Sequence, residues 1–196
     1  MYSKNIIAYV EGVKMRNKYI AKYSTKRALI IGINKYMFVN ELGNACNDAQ
    51  AIRQILKSNF GFQENNIILL LDEQATRQAI KSAFLSFSEA HVENDDQIVV
   101  FFAGHGQTVE GNRGDVGYLI PYDGNTDDKS TLLRWDELIK DTELIPAKHI
   151  FFIMDACFSG IAITRALQQG SSRHLKSMLE RRAVQVLTAG KADEVV

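Results

Sequence analysis

The sequence predicts an α/β fold in three layers, a mostly parallel sheet flanked by helices. Three observations predict it. Five short apolar runs, Ala28–Ile33, Ile67–Leu71, Ile98–Ala103, Ile150–Met154 and Ala183–Leu187, do not alternate between apolar and polar residues. Strands buried on both faces have that character, which belongs to a parallel sheet under helices. The spacers between the runs carry helical periodicity, and the order strand, helix, strand, helix requires right-handed crossovers.

In chain order, residues 1–26 hold six Lys or Arg and one acid, and read as a basic N-terminal arm ahead of a domain over 27–196. After the first run, Ala45, Ala49, Ile52, Leu56 and Phe60 step at helical spacing, with Asn44 as the expected cap and Gly61 as the stop. Ile80, Phe84, Phe87 and His91 form a second stripe capped by Thr76, with His91 expected to pack. Gln107–Asp128 is rich in Gly, Asp and Asn and reads as loops, with a short strand at Tyr118-Leu119-Ile120. Trp135, Leu138 and Ile139 mark a third, shorter helix. The stretch 168–182 is polar and basic, a solvated helix or a linker.

Composition narrows the function classes. A chain of 196 residues suits one domain of the usual ~100–200 residues. Lys plus Arg (23) equals Asp plus Glu (23), which argues against a nucleic-acid partner. No apolar run reaches the ~18 residues of a membrane helix. The two cysteines, Cys46 and Cys157, form no disulfide framework and imply a reducing, cytoplasmic setting. Cys46, beside the first helical stripe, reads as a small core residue.

Ligands of open α/β sheets bind beyond the carboxyl ends of the strands. Gly104-His105-Gly106 follows the third run, and Asp155-Ala156-Cys157-Phe158-Ser159-Gly160 follows the fourth. The first run leads to Asn47-Asp48. One sheet edge therefore receives an imidazole, a thiol and two carboxylates. The glycines beside His105 permit close backbone approach. The N–H groups of Gly106 and Cys157 are candidate donors to an oxyanion. A thiol becomes a nucleophile only as thiolate, which an adjacent imidazole promotes.

These residues resemble the active-site motifs of caspase-like proteins and metacaspases. The His-to-Cys separation, 157 − 105 = 52, is close to the ~50 of caspases. Arg27-Ala28-Leu29-Ile30-Ile31-Gly32-Ile33-Asn34, Asn47-Asp48-Ala49, Gly117-Tyr118-Leu119-Ile120-Pro121 and Leu187-Thr188-Ala189-Gly190 agree with it. The resemblance implies the caspase–hemoglobinase fold and a cysteine endopeptidase with a Cys157–His105 dyad. Caspases carry Gln two positions before the cysteine, whereas Asp155 stands there in this chain, as in metacaspases. Asp48, Ala103 and Asp155 then line a pocket for the residue before the scissile bond, and two carboxylates call for Arg or Lys. The resemblance implies a protein or peptide substrate, no obligatory cofactor, and no third dyad partner. It also implies calcium as an option at Asp123, Asp127 and Asp128, and self-cleavage sites among Arg165, Arg173, Lys176, Arg181 and Arg182. A further C-terminal segment or regulatory partner is expected to complete the cleft beyond Val196.

Other classes fit less well. A Cys-dependent phosphatase needs Arg six positions after the cysteine, where this chain has Ile163. The phosphate loop Gly-x4-Gly-Lys-Ser/Thr is absent, as is zinc-ligand spacing. The alternatives that stand are a catalytically inactive caspase-like scaffold and a signalling or binding module.

Overall fold

The computed structural model describes residues 22–89, 91–112, 114–156 and 182–188. Among them, β1 (Lys26–Gly32), β2 (Ile67–Leu71), β3 (Gln97–Ala103), β7 (His149–Asp155) and β8 (Ala183–Thr188) form one sheet in the order β2-β1-β3-β7-β8, every pair parallel. These are the five apolar runs. A second, antiparallel sheet joins β4 (Gly106–Val109), β5 (Val116–Leu119) and β6 (Leu133–Arg134). Among the described residues the α-helices are α1 (Ala45–Phe60), α2 (Arg77–Leu85) and α3 (Trp135–Asp141).

Period-two alternation splits the core into two layers. Leu29, Ile31, Val100, Phe102, Phe152 and Met154 point to α2 and α3, where Ile80, Phe84 and Leu138 meet them. Ala28, Ile30, Val99, Phe101 and Ala103 point to the other face and pack on Ala45, Ala49 and Leu56 of α1. Strands facing helices on both sides have no polar side, so their sequences do not alternate. The crossovers reverse direction between β1 and β3, a switch point of the kind that opens a crevice at the carboxyl ends.

Several local expectations change. Asn44 stands before α1 but makes no side-chain cap; Asn34, from the loop after β1, accepts the Cys46 N–H instead (3.3 Å). Phe60 is exposed, because α1 ends there and left-handed Gly61 (φ 72°) turns the chain so that Phe62 enters the core. Thr76 does cap α2, accepting the Ala79 N–H at 3.2 Å. The turn Ser86–Ser88 closes α2 before its stripe reaches His91, which is exposed, and Val92 takes the buried place. The segment read as loops from Gln107 contains most of β4 and all of β5; glycines and a polar composition hide β4, which is only half buried.

The amino ends of the strands are fastened by Asp96, whose side chain is fully buried. Its carboxylate accepts the Thr25 N–H (2.9 Å), the Glu93 N–H (3.2 Å) and the Arg27 Nε–H (3.1 Å). Its carbonyl oxygen accepts the Lys148 N–H at 2.9 Å. One residue thus joins the starts of β1, β3 and β7. At the opposite end, a Cβ on Gly32 would stand 2.6 Å from both the Ala45 carbonyl oxygen and the Ala49 Cβ. Gly32→Ala is expected to destabilise the domain by roughly 1–3 kcal/mol through overpacking. A denaturant midpoint equal to wild type would contradict this contact.

Candidate active site

The carboxyl ends of β1, β3 and β7 lie in register: Gly32 is paired with Ala103, and Ala103 with Asp155. His105 stands two residues beyond Ala103, and Cys157 two beyond Asp155. Cys157 itself lies outside the described residues, with Arg165, Arg173, Lys176 and Arg181. Arg182 is described. Its guanidinium donates to the Ile145 (2.6 Å) and Ala147 (3.5 Å) carbonyls.

His105 is held on three sides. Its N–H donates to the Tyr36 hydroxyl (2.8 Å), and its carbonyl oxygen accepts the Ile120 N–H (3.0 Å). Its ring Nε2 lies 2.9 Å from the Asn40 carbonyl oxygen. A carbonyl only accepts, so Nε2 carries the proton of the neutral imidazole and Nδ1 is the free base. Asn40 is thus the orienting group that the sequence does not reveal, since any residue supplies a backbone carbonyl. The Ile120–His105 bond also identifies Gly106 and Leu119 as an antiparallel pair that shares no ladder hydrogen bond. The Gly106 N–H therefore points away from β5, as an oxyanion donor requires.

The three residues expected to line a pocket share one face. Asp155 has the parity of Phe151 and Ile153, which pack on the α1 side with Ala103. Asp48 is in the first turn of α1 on that same side. Ala103 is buried and small. Asp155 is exposed at its strand end, yet its pKa is raised, by partial desolvation first and by the Asp48 charge second. Cys46 is buried and donates its S–H to the Gly32 carbonyl (3.3 Å); burial raises its thiol pKa. Cys46 is a packing residue.

Of the three acids expected for calcium, Asp123 accepts the Arg77 N–H (2.7 Å) and Asp128 accepts the Ser130 N–H (3.0 Å), and Asp127 donates its N–H to the Asn125 side chain (3.0 Å). Among the described residues, no three His, Cys, Asp or Glu side chains group as metal ligands. Nor is any described helix long and apolar enough to cross a membrane.

A parallel sheet whose carboxyl edge carries an oriented imidazole is the frame of a caspase-type cysteine peptidase domain, and the chain belongs to that family. The family model of the caspase domain matches residues 25–193. Metacaspase-6 of Arabidopsis thaliana is 31% identical over 156 residues, covering 74% of this chain and 40% of the relative. Metacaspase-1 of Eremothecium gossypii is 29% identical over 151 residues, 70% of this chain and 32% of the relative. The chain thus spans less than half the length of these curated relatives. The crystal structure of protein GSU0716 from Geobacter sulfurreducens shares the fold, with a TM-score of 0.57 at 22% identity, over 72% of this chain and 54% of that one.

Proposed function

We propose that the domain hydrolyses peptide bonds on the carboxyl side of Arg or Lys, through a Cys157–His105 dyad. The observation that supports it most is the pairing of Ala103 with Asp155. Neighbouring strands run ~4.8 Å apart, so residues two beyond a paired position start from adjacent points. His105 Nδ1 takes the thiol proton, and the Cys157 sulfur attacks the carbonyl carbon of the substrate. The N–H groups of Gly106 and Cys157 receive the oxyanion. Nδ1–H then protonates the leaving amine, and Nδ1 activates the water that releases the acyl group. Asp48 and Asp155 attract the guanidinium or ammonium over the small floor of Ala103. Buried free Cys46 fits a reducing compartment such as the cytoplasm. Self-cleavage belongs to the same reading; Arg182 is the poorest of its candidate sites, since its side chain is already committed to two carbonyls.

The test is a panel of fluorogenic peptides with Arg, Lys, Asp or Ala before the scissile bond, run on wild type and Cys157→Ala. Turnover confined to Arg and Lys peptides and lost in Cys157→Ala supports the proposal; turnover of the Asp peptide alone rejects it. The raised pKa of Asp155 adds a pH signature. An aspartate attracts a cation only when ionised, so binding is complete above the raised pKa and fails as pH falls through it. The acid limb of kcat/KM for an Arg peptide is expected above the ordinary aspartate range. In kcat it moves down, because bound guanidinium favours the carboxylate. Asp48→Asn is expected to draw the kcat/KM limb back toward the ordinary value, since the Asp48 charge contributes to the shift. A limb unmoved by both Asp48→Asn and Asp155→Asn would remove these acids from the pocket.

A further inference from the structure

We infer that Tyr36 is a positioning residue for His105, holding the imidazole-bearing backbone by a hydrogen bond that the sheet does not supply. This rests on the dyad reading above.

In an antiparallel pair flanking Gly106 and Leu119, the regular ladder joins His105 and Ile120 by two reciprocal bonds. Only one runs between them, from the Ile120 N–H to the His105 carbonyl. The His105 N–H is diverted to the Tyr36 hydroxyl at 2.8 Å. The phenol ring also lies against the imidazole, with centroids 4.9 Å apart and planes tilted by 43°. Tyr36 therefore grips the histidine at its backbone and at its ring.

Space for this grip comes from Gly104. A Cβ there would stand 2.7 Å from the Tyr36 hydroxyl oxygen. Rigidity comes from the loop that carries Tyr36. Asp72 accepts the N–H groups of Asn34 (2.8 Å) and Lys35 (2.9 Å). Met37 N–H donates to the Tyr122 carbonyl at 2.9 Å. Tyr36 is thus pinned on both sides along the chain. Asp72 makes its two bonds from a left-handed backbone, φ 44°, where a non-glycine residue is strained, and such strain gathers at functional sites. The same loop delivers the Asn40 carbonyl to Nε2. Loop and hydroxyl together fix which imidazole nitrogen carries the proton and where the ring stands. Burial holds the Tyr36 phenol above its ordinary pKa, so the hydroxyl stays neutral across the working range.

Tyr36→Phe keeps the ring and removes the acceptor. Misplacing a catalytic group by about 1 Å costs on the order of 100-fold in rate. The variant is therefore expected to lose about 10- to 100-fold in kcat on an Arg peptide, with KM unchanged. Gly104→Ala, which pushes the hydroxyl aside, is expected to show the same split. The deciding readout needs no turnover. On nitrogen-labelled histidine, with His105 assigned by its loss in His105→Ala, wild type should show the Nε2–H tautomer. Tyr36→Phe and Gly104→Ala should shift His105 toward a mixture of tautomers while His149 is unaltered. His105 nitrogen shifts identical to wild type in both variants, with thermal melts confirming that they fold, would overturn the inference. A wild type that turns over no peptide but shows the expected His105 shifts would reject the peptidase reading and uphold the positioning role.

Discussion

Alanine at His105 is expected to lower kcat on an arginyl peptide by about 10⁴- to 10⁶-fold, as is alanine at Cys157, and the double replacement costs no more than either alone. In the proposed mechanism the two side chains act as a unit. Without the imidazole the thiol is mostly protonated near neutral pH, and nothing at Nδ1 hands a proton to the leaving amine. Without the sulfur the imidazole has no nucleophile to serve. The proposed pocket and the Gly106 N–H are untouched, so binding of a basic peptide is expected to persist in Cys157→Ala. Turnover at saturating substrate and the Kd of a non-cleavable arginyl peptide measure the two effects separately. Losses that multiply in the double variant would mean independent roles and a different mechanism.

Asp96→Ala is expected to remove about 3–5 kcal/mol of stability, the usual cost of breaking a buried pair by deleting one partner. The carboxylate accepts three donors: the Arg27 guanidinium and the N–H groups of Thr25 and Glu93. Its loss strands a mostly buried cation beside two unpaired amides. In a domain of this size the melting temperature should fall by roughly 10 °C. Asp96→Asn keeps the shape and part of the hydrogen bonding, so it should fall in between. The acid limb of kcat/KM should be unaffected in both, because Asp96 lies at the end of the sheet opposite Asp155. An Asp96→Ala variant that melts with wild type would mean that water replaces the lost partners.

The parallel sheet was legible because burial on both faces suppresses alternation, leaving runs such as Ile67–Leu71 that match a strand residue for residue. The antiparallel sheet was not. β4 is Gly106-Gln107-Thr108-Val109, only half buried, and β6 is two residues long; neither has room for a period. The tertiary override at α1 was equally hidden, since Asn34 caps a helix that begins eleven residues later. Within the candidate site, the ends of the apolar runs pointed to His105, Asp155 and Asp48, whereas Ala103 and the pocket role of the acids came from the family resemblance. Asn40 acts through its carbonyl and Tyr36 through an acceptor bond to backbone, and neither role leaves a trace in residue type. Asp96 looks like any acid between Glu93-Asn94-Asp95 and a strand, and only the fold shows that this one is enclosed.

The one-to-one alignment of β3 with β7 separates two quantities that sequence comparison tends to merge. Ala103 and Asp155, each two residues before a member of the proposed dyad, form one rung of a ladder, whereas the length of chain strung between them is not set by that rung. Evolution is therefore free to lengthen, shorten or decorate that intervening span without touching the chemistry. A single residue gained or lost inside either strand would instead turn its tip toward the opposite face of the molecule.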